Sequence, residues 1–296
     1  MSDPLISVVM PCFRAEATIA RAAASVLSQT WPKLELILAS DDGVDYRALL
    51  AGRAGIDDAR IRTASTGGVG TGDWSARNAG LAAATGGLVT IIDADDAYAP
   101  GRLAAMATLA LADGAALDNT QLILKGKLIA SLLHGGEAAA NRPVPATAAI
   151  ILRDRVPVFP MWRRELGALS WRQLPHASDV IFSLELLSAA PAMRIAPLGG
   201  YLYEKRPGSM TMSESMTARS RAAYLAIIQA IAAGDYALAP DVADLTLYEI
   251  AKNLNQARPF GRTLAADPGL THELLAIRFN SQPMTEAERY AFFEEH

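Results

Sequence analysis

The sequence predicts an α/β protein: a Rossmann-type mixed sheet flanked by helices, with a helical carboxyl-terminal extension. Three observations carry that prediction. Short apolar runs alternate with amphipathic stretches through the first third of the chain, as a parallel sheet with helices on both faces requires. Three of these runs end in polar or acidic residues, and open α/β sheets bind ligands outside the carboxyl ends of their strands. From about Thr217 onward the strand signals stop and helical periodicity remains.

Element by element, Ile6 to Met10 is an apolar run that reads as a strand stopped by Pro11. Ile19, Ala23, Val26 and Leu27 recur at helical spacing. Leu34 to Ala39 is the next strand and ends in Ser40-Asp41-Asp42-Gly43. A short helix over Tyr46 to Ala51 leads to the strand Arg60 to Ala64. A glycine-rich loop, a helix beginning near Asp73 and running to Ala84, and the strand Leu88 to Ile92 complete a βαβαβ order. Pro100 and Gly101 then open a helix with Leu103, Met106 and Ala110 on one face. Beyond Asp113 the segments Gln121 to Leu124, Lys127 to Leu133 and Ala146 to Leu152 read as strands that extend the sheet with antiparallel pairs. Ser178 to Ala189 reads as an amphipathic helix with Ile181, Leu184 and Leu187 on its stripe, followed by a strand over Arg194 to Tyr203. Residues 1–215 are expected to form one unit and 216–296 a helical extension, packed on the core or pairing two copies as a homodimer.

Composition bounds the function. With 51% hydrophobic and 20% charged residues and a net charge of −4, the chain has no broad attraction for nucleic acid. Cys12 is the only cysteine, which excludes an internal disulfide and a cysteine metal cluster. No apolar run is long enough for a membrane span, and the amino terminus lacks the basic segment of a signal peptide. A cytoplasmic location is the expectation, with peripheral contact at the inner membrane face allowed.

The most informative segment is Leu88-Val89-Thr90-Ile91-Ile92-Asp93-Ala94-Asp95-Asp96. A core strand gains nothing by ending in clustered like charges, which repel one another. A hard divalent cation, Mg²⁺ or Mn²⁺, resolves the conflict by taking carboxylate oxygens together with substrate phosphates. The alternative is a solvated turn leading into the next helix. A second candidate ligand site is Gly67-Gly68-Val69-Gly70-Thr71-Gly72, placed between strand and helix as in a dinucleotide-binding oxidoreductase. The G-x-G-x-x-G register fails there, because starting from Gly68 and Gly70 the third place is Asp73.

Taken together, Val8-Val9-Met10-Pro11-Cys12-Phe13-Arg14-Ala15-Glu16, Asp41-Asp42-Gly43, Ser75-Ala76-Arg77-Asn78-Ala79-Gly80 and Ile92-Asp93-Ala94-Asp95-Asp96 resemble the family 2 glycosyltransferases, which have the GT-A nucleotide-sugar fold. The resemblance is close over residues 5 to about 105, thins towards 210 and stops there. It implies a metal-dependent hexosyltransferase that uses a UDP-sugar donor and a carbohydrate or lipid-linked acceptor. Pro11, Cys12, Phe13, Arg14 and Glu16 would then wrap the nucleoside, with Phe13-Arg14 standing where the family usually has Tyr-Asn. Asp41 and Asp42 would accept from base or ribose, and Arg77 would face the nucleotide with Asn78 orienting the acids. Asp93 and Ala94 would lie at the ribose, and Asp95 would bind Mn²⁺ or Mg²⁺ with Asp93 beside it. Asp96 and His176 are the secondary metal candidates. Asp179 matches the position of the general base, with Ser178 where the family usually has Glu. Lys205 and Arg206 would close over the diphosphate, and Trp162, Arg163, Arg164 and Trp171 are candidates for lining the acceptor site. The missing Gln-x-x-Arg-Trp motif points away from a processive synthase and towards single additions in envelope or capsular glycan assembly. A non-catalytic nucleotide-sugar binding protein is the remaining alternative.

Overall fold

The computed structural model describes residues 3–132, 140–153, 158–167, 169–205 and 216–266. In chain order the elements are β1 (Ile6–Cys12), α1 (Ile19–Leu27), β2 (Leu34–Ser40), α2 (Tyr46–Ala54), β3 (Ile61–Ser65), α3 (Asp73–Ala83), β4 (Leu88–Ile91) and β5 (Ala97–Tyr98). There follow α4 (Arg102–Asp113), β6 (Ala115–Leu124), β7 (Lys127–Leu132), β8 (Val144–Pro145), α5 (Ala148–Arg153), β9 (Met161–Arg163), α6 (Ser178–Ala189), β10 (Arg194–Lys205), α7 (Met216–Ala233) and α8 (Pro240–Ala266). One ten-stranded sheet has the order β3-β2-β1-β4-β9-β6-β10-β5, with β7 on β6 and β8 on β10.

The first four strands pair in parallel, and the chain reverses its direction of travel across the sheet between β1 and β4. That is a topological switch point, where the loops leaving two neighbouring strands diverge and open a crevice. The loops after β1 and β4 flank it. β9 is inserted antiparallel between β4 and β6, while β10 runs parallel to β6. The mixed sheet expected from the sequence is therefore present. Parallel strands covered on both faces need apolar residues throughout, and Ile6, Val8, Val9 and Met10 are all fully buried. Close packing of α3 on this half depends on Gly80, where an added Cβ would lie 2.3 Å from Val9 Cγ1.

Several expectations need correction. β1 does not stop at Pro11 but runs on to Cys12 along β2. Cys12 O accepts from Asp41 N on the β2 side, and Val9 O accepts from Ile92 N on the β4 side. By that alternation the Pro11 nitrogen faces the β4 side beyond the end of β4, so no ladder bond is lost. The segment Ala146 to Leu152 is not a strand. Thr147 Oγ1 accepts from Ile150 N at 3.3 Å, an N-cap that starts α5. A short apolar run has no periodicity of its own to separate the two outcomes. α6 is not amphipathic: Ser178, Ile181, Phe182, Ser183, Leu184, Glu185, Leu186 and Leu187 are all buried. It lies beneath α5 and the segment leading to α8, with Ala237 N donating to Glu185 Oε1 and Ala239 N to Ser188 Oγ, each at 3.0 Å. Among the described residues, no helix is long and apolar enough to cross a membrane.

Candidate functional site

The carboxyl ends of β1, β2, β3 and β4 share one rim because these strands are parallel. The loops after β1 and β3 are each held by a carboxylate from the loop after β2. Asp42 Oδ2 accepts from Arg14 N at 2.6 Å and from Tyr46 OH at 2.7 Å, while its Oδ1 accepts from Ser40 Oγ and Val44 N. Arg14 takes a left-handed conformation, φ 50°, which a side-chain-bearing residue adopts only when its surroundings impose it. The Asp42 bond to its amide supplies that constraint. The turn leaves Phe13 44% exposed, with the Arg14 guanidinium 5.0 Å from its ring centroid. Glu16 is exposed beside them. Cys12 is buried and its thiol donates to Met10 O, with burial pushing its pKa well up, so it serves as an apolar filler and carries no thiolate.

Asp41 organises the glycine-rich loop. Its Oδ1 accepts from Thr66 Oγ1 at 2.8 Å, Thr71 Oγ1 at 2.5 Å and Thr71 N at 3.1 Å, and its Oδ2 accepts from Gly72 N at 3.0 Å. Burial works against the charge of both acids, but these bonds outweigh it and hold Asp41 and Asp42 below the usual carboxylate range. The Thr71 and Gly72 amides, which a dinucleotide fold would aim at pyrophosphate, are thus spent on an internal anion. Gly70 lies against Phe13, since a Cβ there would sit 3.8 Å from the ring. The two loops meet at the rim.

Arg77 is the centre of the site. It projects from α3 into a buried position, with Nη1 2.8 Å from Asp73 Oδ2 and Nη2 3.0 Å from Asp93 Oδ1. Burial disfavours its charge, yet Asp93, Asp73 and Asp179 surround it and raise its pKa above the ordinary arginine value. Its Nε is buried without a hydrogen-bond partner. Asp93, Arg77 and Asp179 are therefore brought together, although they come from the end of β4, from α3 and from the start of α6. Ala177 takes φ 63° immediately before α6. This turn places Ser178 in the interior and leaves Asp179 partly exposed in the first helical turn, where the helix dipole favours an anion.

The acidic turn after β4 has an inner and an outer side. Asp96 is fully buried and its oxygens accept from Tyr201 OH at 2.8 Å and from Glu204 N at 2.8 Å. Tyr201 OH also accepts from Asp93 N at 3.0 Å, and the Tyr201 ring stacks on Phe159. Asp96 therefore faces the interior and supports the turn. Burial, with Asp95 and Asp93 adding repulsion, raises Asp96 well above the usual range. Asp93 is raised by burial and by Asp95, with Arg77 opposing. Ala94 is buried between the two, and Asp95 is partly exposed on the outer side. His176 is partly exposed two residues ahead of Ser178. Lys205 closes β10 with its side chain buried and Nζ 3.2 Å from Tyr203 OH, so it is not part of a solvated surface turn. Arg206 lies outside the described residues.

Residues 7–145 match the family described as "Glycosyl transferase family 2". This segment is a family 2 glycosyltransferase domain. The match contains the loops after β1, β2, β3 and β4, hence the whole switch-point crevice. Among relatives, the chain is 29% identical over 224 residues to the succinoglycan biosynthesis protein ExoO of Rhizobium meliloti, covering 70% of this chain and 63% of that protein. It is 34% identical over 103 residues to the UDP-Glc:alpha-D-GlcNAc-diphosphoundecaprenol beta-1,3-glucosyltransferase WfgD of Escherichia coli, covering 35% of this chain and 40% of that protein. Both matches span less than two thirds of the relative's length. The fold is similar to that of S. aureus TarS 1-349 in complex with UDP-GlcNAc, with TM-score 0.64, 16% identity, and 93% and 90% of the two chains covered. This is the GT-A architecture expected of the domain.

Some expected residues are placed elsewhere. Trp162 and Trp171 are buried and pack with Phe182, Trp171 stacking on that ring at 3.9 Å, so they form core and not an acceptor surface. Arg163 pairs in register with Leu88, and Arg164 Nε donates to Gly86 O; both stand at the start of β4, at the opposite edge of the sheet. Asn78 does not orient the acids. It clasps the Trp171 backbone through two hydrogen bonds of 2.8 and 2.9 Å, tying α3 to the segment that leads into α6. Conversely, Tyr46, Tyr201, Arg21 and Glu204 support the rim without any local motif to reveal them. Asp73 is a site residue that the sequence analysis missed, though its place four residues before Arg77 on a helix was a signal for it.

Proposed function

We propose that this chain is a glycosyltransferase that moves a hexose from a UDP-sugar to an acceptor hydroxyl with inversion at the anomeric carbon. The observation that carries the reading is Arg77: one buried guanidinium pairs with Asp93, on the expected donor side, and is stabilised by the charge of Asp179, the candidate base. The nucleoside would occupy the crevice between Phe13-Arg14 and the acidic turn, with Asp41 and Asp42 shaping its walls. The relatives' printed activities, glucosyl transfer from UDP-Glc to a diphosphoundecaprenol-linked sugar and succinoglycan biosynthesis, support a UDP-linked donor and a carbohydrate or lipid-linked acceptor in envelope glycan assembly. The dinucleotide reading is not favoured, since the glycine-rich loop turns its amides inward to Asp41.

In the reaction, the acceptor oxygen forms its bond to the anomeric carbon as the bond from that carbon to the UDP oxygen breaks, and the bonding pair leaves with UDP. Asp179 takes the acceptor's proton, which fits a partly exposed carboxylate in the first turn of a helix. Arg77 offsets the charge of Asp93 and Asp179 before substrate arrives. The residues suit a divalent cation. The carboxyls of Asp93 and Asp96 are held above their usual range by burial and by repulsion from Asp95, so added positive charge on the outer side is favourable. Among the described residues no group of three His, Cys, Asp or Glu side chains forms a preformed cage. Asp95, with Asp93 second, would hold Mn²⁺ or Mg²⁺ in a site completed by the donor's phosphates. When bound, the ion supplies Lewis-acid stabilisation of the departing diphosphate.

Calorimetric titration with UDP tests the donor half. Affinity is expected to rise with Mn²⁺ in the native protein and to lose that dependence in Asp95→Asn. An Asp95→Asn protein with undiminished metal-dependent affinity would remove Asp95 from this role.

A further inference from the structure

Arg21 stands on α1, far from the acidic turn in sequence, yet its two terminal nitrogens take separate partners. Nη1 lies 2.6 Å from Glu204 Oε2, and Nη2 donates to the backbone oxygen of Asp95. Glu204 is itself a junction. Its Oε1 accepts from Gly126 N, at the tip between β6 and β7, at 3.3 Å, and its own amide donates to Asp96 Oδ1. Arg21 is 46% exposed while the Glu204 side chain is only 9% exposed. The Asp95 carbonyl thus sits on a guanidinium whose other arm is anchored to a nearly buried carboxylate. The inner side of the turn is fixed independently by Tyr201 and Asp96. The Arg21 contact reaches the outer side, at the residue whose carboxylate is expected to meet the donor.

We infer that the Arg21–Glu204 pair is a positioning clasp that sets the Asp95 carboxylate for the metal–diphosphate of the donor. The inference rests on the reading of Asp95 given above. A guanidinium suits the task because its fork engages two acceptors in fixed geometry, which the single ammonium of lysine does not do. Arg21 is half-exposed, and without it Glu204 still accepts from Gly126 N, so the loss to folding is modest. Removal of the clasp is therefore expected to change ligand binding more than stability.

The test is thermal unfolding of the full chain at fixed UDP concentration with Mn²⁺ titrated, for the native protein, Arg21→Lys, Arg21→Ala and Glu204→Gln. The clasp predicts unliganded midpoints for both Arg21 variants close to the native value. The Mn²⁺ concentration for half of the UDP-induced shift should rise about 10-fold, the lower end of the usual effect of residues that orient a metal ligand. Glu204→Gln should shift it in the same direction, since the amide has a single acceptor oxygen and cannot serve Gly126 N and Arg21 Nη1 from two oxygens as the carboxylate does. An Arg21→Lys/Asp95→Asn double variant should show no metal response beyond that of Asp95→Asn alone. Arg21 variants that need no more Mn²⁺ than the native protein overturn the clasp, whether or not their unliganded midpoints fall. A native protein whose UDP response ignores Mn²⁺ overturns the reading of Asp95 and the clasp together.

Discussion

At the scale of single residues, carboxylates in this protein are used in two opposite ways. Asp41, Asp42 and Glu35 are anions satisfied from within. Glu35 accepts from Ser7 Oγ at 2.6 Å, Thr85 N at 2.7 Å and Thr85 Oγ1 at 2.9 Å, and pairs with Arg62 at 2.7 Å. Burial pushes its pKa up, but these bonds win and bring it from 4.5 down to about 2. A lowered folded pKa means that stability is fully present above the unfolded value and is lost as pH falls through the folded one. Glu35→Gln is therefore expected to flatten the fall in urea-unfolding free energy between pH 4.5 and about 2, relative to the native protein. An unchanged acid limb would show that Glu35 is not held this way. Asp93 and Asp96 are the opposite case, raised by burial and mutual repulsion. Internally satisfied acids build the loops, and the acids left under strain mark where a cation or substrate is expected.

At the scale of elements, β10 does more for the site than its position near the end of the sheet suggests. Tyr201 and Glu204 hold the acidic turn from behind, and Tyr201 OH serves two partners, Asp93 N and Asp96. Tyr201→Phe keeps the stacking on Phe159 but leaves a buried carboxyl and an amide short of a partner. A loss of about 1–3 kcal/mol in urea unfolding is expected, with the slope against urea unchanged. A change below about 0.5 kcal/mol, the range of a bland surface substitution, would mean that the turn does not depend on it. The first four strands and three helices were legible because each shows its own period and each polar strand end follows an apolar run. The rim residues Asp41, Asp42, Asp93 and Asp95 stood out for the same reason, and Arg77 through the family resemblance of its segment. What was not legible is what long-range packing decides. α5 looked like a strand until Thr147 capped it, the three-residue β9 is too short to carry a pattern, and Trp162 and Trp171 looked like a sugar platform but fill the core. Arg21, Tyr201 and Glu204 act across 74 to 183 residues of sequence, a separation no local motif records.

At the scale of the whole molecule, the parallel half of the sheet supplies the donor-side loops, and the later half supplies α6 with Asp179. The two are joined at Arg77 and again by Asn78, which ties α3 to the Trp171 segment. α6 is held from its far side by Arg172–Glu185 at 2.5 Å and by the backbone bonds leading into α8. The base candidate thus stands on a helix fixed by the body of the protein, as a group that must meet a reacting atom should. The most direct test of the central claim is UDP release from a panel of UDP-hexoses with Mn²⁺, with acceptor or with water in its place, for the native protein and Asp179→Asn. The account predicts turnover in the native protein, and in Asp179→Asn a loss of roughly 10²-fold or more with UDP-sugar affinity retained. Equal turnover in the variant, or no turnover by the native protein with any member of the panel, would contradict it.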